Sequence, residues 1–111
     1  MEQNIWEYDD FIFKGDELKG MTQKGKDKVK LEGKTDLVIP ELTPDGLPLK
    51  KIGDNAFYRR GLTSVVIPNT VESIGYDAFG VCKLKEVKLP EALVNIEGFA
   101  FYRNKLTKVE F

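Results

Sequence analysis

The run Gly20-Met-Thr-Gln-Lys-Gly25-Lys26 has the glycine and lysine spacing of a phosphate-binding loop, in which backbone N–H groups cradle phosphates and the lysine neutralises them. The chemistry stops at the next position. Asp27 stands where a Ser or Thr hydroxyl must reach magnesium, and neither a buried parallel strand before the run nor a long helix after it is predicted. The ordinary reading is a lysine-rich loop and short helix. Lys24, Lys26, Lys28, Lys30 and Lys34 form the densest basic stretch, a pattern that heparin-like glycans or nucleic acid can exploit. Asp27 and Glu32 interrupt it, so a solvated face is the first reading and weak glycan binding through Lys24–Lys34 the alternative. Histidine is absent and Cys82 is the only cysteine, which excludes Cys/His zinc sites, Ser-His-Asp triads, Cys-His pairs and intramolecular disulfides. Asp9-Asp10 and Asp16-Glu17 fall on exposed turns or strand ends and make no acid–base pair, and no calcium-loop pattern occurs. No catalytic residue, cofactor site or metal ligand is expected, and the chain reads as a non-enzyme.

Composition narrows the partners. Seventeen basic and 18 acidic residues leave a net charge of -1, which argues against a nucleic-acid binder. The hydrophobic fraction of 41% in 111 residues suffices for the core of one domain. The longest apolar run near the start is Phe11-Ile12-Phe13, far too short for a signal h-region or a membrane insertion. The expectation is either a cytoplasmic chain or a mature piece of something larger, and a lone cysteine does not choose between them.

The elements that must position any site are set by an internal repeat. Leu62, Leu84 and Leu106 are spaced by 22, as are Ile52, Ile74 and Ile96, Ala56, Ala78 and Ala100, and Phe57, Phe79 and Phe101. Leu62-Thr-Ser-Val65-Val-Ile67-Pro68 aligns with Leu84-Lys-Glu-Val87-Lys-Leu89-Pro90 and with Leu106-Thr-Lys-Val109-Glu-Phe111. An earlier copy, Leu37-Val-Ile39-Pro40, is followed by six extra residues around the turn Thr43–Pro48. Apolar residues alternate in each stretch with the strand period of two, and proline ends the strand. Ile52 with Leu49, Ile74 with Val71 and Ile96 with Leu93 point a second apolar pair inward. Gly53 and Gly75 follow with a turn that is expected to need positive φ. The Ala-Phe pair is then expected in a compact helical or 3-10 turn, alanine for close stacking and phenylalanine to fill between coils about 4.8 Å apart.

Residues 1–33 do not repeat. Phe11–Phe13 and Leu18–Met21 around Gly15 predict a β-hairpin, and Thr22 predicts the N-cap of a short helix from Gln23 to Lys30. Trp6, Tyr8, Phe11 and Phe13 are expected to supply buried rings to a cap over the first coil. The fold class is therefore α/β: a solenoid of about three 22-residue coils with short parallel strands over residues 34–111, preceded by an N-terminal hairpin and helix cap over residues 1–33.

The phrases Leu62-Thr-Ser-Val-Val-Ile-Pro-Asn-Thr-Val-Glu-Ser-Ile-Gly75, Asp77-Ala-Phe79 and Ile52-Gly-Asp-Asn-Ala-Phe57 resemble the BspA-like leucine-rich repeat family across roughly Lys34 to Phe111. The resemblance implies a bacterial, extracellular or cell-surface module for adhesion or protein recognition, with a host or matrix protein as partner and no catalysis. Glu97 departs from the glycine of the pattern and Phe99 from its polar residue, which predicts a differently shaped turn after Ile96.

On a solenoid the solvent face of the strands is the usual binding surface. Its columns are Asp36, Ser64, Glu86 and Lys108 beside Val38, Val66, Lys88 and Glu110, with Glu86 expected to neutralise Lys108 and Lys88 to neutralise Glu110. Val38 and Val66 are its apolar spot. Tyr58-Arg59 and Tyr102-Arg103 recur at one repeat position and are further partner-binding candidates, either as an aromatic and cationic patch or as rings packed on the neighbouring coil. Cys82, at the same corner, reads as a small, partly buried filler and not a nucleophile. The array stops in mid-coil at Phe111, leaving Leu106, Val109 and Phe111 uncovered. That predicts either a fragment boundary or a self-association edge that pairs into a homodimer, and a structural spacer is the matching alternative function.

Overall fold

The structure, a computed structural model, describes residues 5–111; the first four residues of the 1–33 segment lie outside the described residues. A 3-10 turn at Tyr8–Asp10 leads into β1 (Phe11–Lys14), β2 (Glu17–Met21) and α1 (Gln23–Lys30). Then follow β3 (Asp36–Val38), β4 (Lys51–Ile52), β5 (Ser64–Val66), β6 (Ser73–Ile74), β7 (Glu86–Lys88), β8 (Asn95–Ile96) and β9 (Lys108–Glu110). The fold is mixed α/β, with short parallel strands and, among the described residues, one α-helix. One sheet has the order β3-β5-β7-β9 and is parallel throughout. The other has the order β1-β2-β4-β6-β8, parallel except for the antiparallel β1–β2 pair.

In the first sheet Leu37, Val65, Val87 and Val109 share one column. The first three are buried while their neighbours on either side point outward, as a half-buried strand requires. The second sheet carries the expected inward pairs in two coils and not in the third, where Ile96 is 45% exposed and Leu93 half-buried because no further coil covers them. Leu49, Ile52, Val71 and Ile74 are fully buried, but the isoleucines lie in strands of two residues, too short to show any alternation. Successive phenylalanines stack face to face, Phe57 on Phe79 at 5.2 Å and Phe79 on Phe101 at 5.4 Å between centroids. Phe11 meets Phe57 edge-on at 6.4 Å and so joins the hairpin to the stack. Of the four rings expected inside the cap, Phe11 is buried and Trp6 and Phe13 half-buried. Tyr8 is exposed, because its hydroxyl reaches out to donate to the Leu42 carbonyl at 2.9 Å.

The turns correct the role given to Gly53 and Gly75, neither of which has a positive φ. A Cβ on Gly75 would stand 2.5 Å from Asp54 Oδ1 and 2.7 Å from the Asp54 nitrogen; one on Gly53 would stand 2.5 Å from Glu17 Oε2. Glycine here permits the close approach of one coil to the last. The left-handed residues come two positions later, at Asn55, Asp77 and Phe99 (φ 58, 51 and 61°), and again at Arg59, Val81 and Arg103 (58, 51 and 59°). Between them the chain is neither α nor 3-10 helix. The N–H groups of Ala56, Tyr58 and Arg60 close turns onto the third residue back, while those of Asn55, Phe57 and Arg59 donate to the carbonyls of Tyr76, Ala78 and Gly80 in the next coil. Alternate donors thus bind the coils together, which satisfies backbone groups that a helix would keep to itself. The turn after Ile96 keeps this form in spite of its sequence: Glu97 N–H donates to Ile74 at 2.9 Å as Gly75 N–H does to Ile52 at 2.8 Å, and Phe99 takes the left-handed place.

Valine is poorly suited to a left-handed position because its branched Cβ crowds the following carbonyl. Val81→Asn is therefore expected to stabilise the chain by about 1 kcal/mol. The measurement is a urea titration, with the midpoint rising at unchanged slope; an unchanged or lower midpoint would show that the valine side chain compensates for its backbone.

Candidate functional site

The outward face of the first sheet is built by register alone. Asp36, Ser64, Glu86 and Lys108 align in one column and Val38, Val66, Lys88 and Glu110 in the next. Cross-strand neutralisation does not occur as expected. Lys108 pairs along its own strand with Glu110 at 3.3 Å, and among the described residues neither Glu86 nor Lys88 makes an ion pair. The strand period places positions two apart on the same face, so the lysine reaches its nearer carboxylate there. Val38 and Val66 lie side by side and are 53% and 39% exposed.

The apolar spot is larger than two valines. Val38 and Pro40 form one wall of a cleft of about 510 Å³ whose other wall is Ile5, Trp6 and Tyr8. Trp6 is fixed along the edge of β3: its indole N–H donates to the Asp36 carbonyl at 2.8 Å, satisfying an acceptor that an edge strand leaves open. The ammonium of Lys34 lies 5.5 Å from the ring centroid and pairs with Asp36 at 3.6 Å. The sequence pattern places Trp6 and Tyr8 in the cap, and no local signal separates a ring that covers a core from one that borders a strand edge thirty residues away.

The remaining candidates fall in separate places. Arg59 lies over the Tyr58 ring at 5.3 Å and Arg103 over the Tyr102 ring at 5.6 Å. The two pairs do not form one patch, because the coil carrying Gly80, Val81 and Cys82 lies between them. Tyr102 instead packs edge-on against Phe99 at 5.0 Å. Leu106 is half-buried, while Val109 is exposed on the edge strand β9 and Phe111 is exposed just beyond it.

The lysine run is divided by the helix that carries part of it. Lys24 bridges Glu7 at 2.9 Å and Asp9 at 2.8 Å, and these contacts hold both exposed carboxylates below their ordinary range. Lys28 is buried against Asp10 at 2.6 Å. With Lys34 on Asp36, three of the five lysines have carboxylate partners, and no single basic face results. Cys82 is buried, its thiol donating to the Phe57 carbonyl at 3.1 Å, and burial pushes its pKa up, which keeps it protonated. Among the described residues no three His, Cys, Asp or Glu side chains gather as metal ligands, and no helix is long and apolar enough to cross a membrane.

The sequence profile described as BspA type leucine rich repeat region, in six copies, matches residues 50–111. No curated protein matches the chain. Among solved structures, a leucine-rich repeat protein from Bacteroides capillosus ATCC 29799 is similar in fold, with 24% identity over 85% of this chain and 84% of that one at a TM-score of 0.55. A leucine rich cell surface protein from Faecalibacterium prausnitzii A2-165 matches with 27% identity and a TM-score of 0.61 over 89% of this chain. The match spans 30% of the Faecalibacterium chain.

Proposed function

Because the chain belongs to the BspA type leucine-rich repeat family, we propose that it is a non-catalytic protein-recognition module of about three 22-residue coils, closed over its first coil by the β1–β2 hairpin and α1. The observation that carries this reading is the continuity of the exposed Val38–Val66 pair with the cleft beneath Trp6 and Tyr8. A contiguous apolar patch bordered by charge is the usual form of a protein contact site. The Faecalibacterium relative is described as a cell surface protein, which supports placing this module outside the cell or on its surface, with a host or matrix protein as partner. Lys88 and Glu110 form the polar rim of the patch.

The test is surface plasmon resonance of the immobilised chain against a panel of purified extracellular-matrix proteins. Saturable binding to at least one is expected, weakened about thirtyfold, or ~2 kcal/mol, by Trp6→Ala or Val66→Asp. Binding that ignores both substitutions, or a panel without a binder, would sink the reading. A structural spacer or self-assembly module is favoured by a different observation, the exposure of Val109 on edge strand β9 and of Phe111, at 85%, next to it. It predicts a molar mass that rises with concentration and falls back to monomer in Phe111→Asp, measured by sedimentation equilibrium. A monomer at every concentration would remove it.

A further inference from the structure

A second cleft, of about 840 Å³, separates α1 from the corners of the coils. Lys26 and Lys30 line it from the helix, and Arg59, Arg60 and Lys83 from the corners. None of these five cations makes an ion pair among the described residues, whereas Lys24, Lys28 and Lys34 all do. One carboxylate, Asp27, lines the cleft, and it accepts a hydrogen bond from Gln23 at 2.9 Å. Two of the cations are held in place. Arg60 Nε donates to the Tyr58 carbonyl at 3.3 Å, and Arg59 lies over the Tyr58 ring. Five cations against one carboxylate leave the groove net positive in a chain of net charge -1, a field that favours an anion between its walls.

We propose that this cleft binds an acidic segment of a partner protein, its carboxylates held from both walls and a short aliphatic side chain resting on Val29 and Val81. Charge complementarity selects an anion, and the lining selects a peptide among anions. No aromatic ring lines the cleft among the described residues, so bases have no stacking platform. A sulfated glycan offers only ring C–H faces and at most an acetyl methyl, a poorer match to the valines than an aliphatic side chain. Arginine supplies the planar fork that carboxylates accept. The site is separate from the strand face and does not depend on the reading given to that face.

The probe is a fluorescein-labelled synthetic peptide of glutamates with interspersed leucines, titrated by anisotropy beside a heparin oligosaccharide and an oligothymidylate. Saturable peptide binding is expected, weakening steeply with salt. Lys30→Glu on the helix and Lys83→Glu on the corner, both exposed positions, are each expected to weaken it about tenfold, and Val66→Asp to leave it unchanged. Equal thermal melting shows that the variants fold; should a reversal unfold the chain, Lys30→Gln and Lys83→Gln read the same effect at smaller size. No saturable peptide binding, or binding indifferent to both lysines, overturns the site. Tighter binding of heparin or the oligonucleotide with the same lysine dependence overturns the peptide as its occupant.

Discussion

Phe79→Ala is expected to lower the unfolding free energy by roughly 3–5 kcal/mol, a large part of what a domain of this size has. Phe79 is fully buried, with Phe57 on one face and Phe101 on the other. Each stacked pair adds about 0.5–1.5 kcal/mol beyond area burial, so one truncation removes two such contacts. The cavity also has little means of closing. Its walls are held by cross-coil hydrogen bonds, Phe57 N–H to Ala78 at 2.7 Å and Phe79 N–H to Ala100 at 2.8 Å, and a wall that does not relax puts the cost at the upper end of the range. Phe101 is half-buried and has one stacked neighbour, so Phe101→Ala is expected to cost about half as much. Urea denaturation of both variants measures the difference. Equal losses at the two positions would show that stability does not follow burial along the stack.

The same column was readable from sequence because phenylalanine recurs at an unbroken period of 22 and is a poor choice for a surface. The parallel register of β3, β5, β7 and β9 was readable for a similar reason: three-residue alternation ends near Pro40, Pro68 and Pro90 in the first three copies, and the fourth keeps the 22-residue step, so the phase of every copy is fixed. What was not readable depended on distance in space. Glycine at positions 53 and 75 is consistent with either a positive φ or a close neighbour, and only the position of Asp54 and Glu17 decides between them. Phe99 and Val81 adopt a left-handed conformation that their own types disfavour, because the cross-coil bonds of Asp77 and Val81 hold the backbone there. The lysine run was half readable. Lys24 and Lys28, four apart on one helix, share a face, as do Lys26 and Lys30. The separation of these faces is in the sequence, but not that Glu7, Asp9 and Asp10 meet the first pair or that Arg59, Arg60 and Lys83 stand opposite the second. The Trp6 cleft was hidden in the same way, since its two walls lie in segments with no shared pattern.

Lys28→Ala is expected to cost about 3–5 kcal/mol, through the charge it leaves behind. Asp10 is fully buried; its Oδ2 accepts from the Glu7 N–H at 2.7 Å and from the Lys28 ammonium at 2.6 Å. Its Oδ1 has no hydrogen-bond partner among the described residues, so the ammonium is the main compensation for the buried charge. Lys28 donates to the Ile5 carbonyl as well, which ties the segment carrying Trp6 to the helix. Coulombic loss and loss of packing are separable here. Gly25 faces the Asp10 backbone so closely that a Cβ would stand 2.2 Å from its carbonyl oxygen, and Gly25→Ala must push α1 away without touching any charge. Both variants are expected to loosen the cap and expose the first coil, and both to lower the urea midpoint. Only the Lys28 loss should be relieved by removing the carboxylate: Asp10→Asn with Lys28→Met is expected to be more stable than Lys28→Ala alone, since a neutral pair of similar volume avoids the desolvation of two ions. If the double variant is no better than Lys28→Ala, the lysine holds the cap through its contact with Ile5 and its packing, and the buried carboxylate is not the source of the cost.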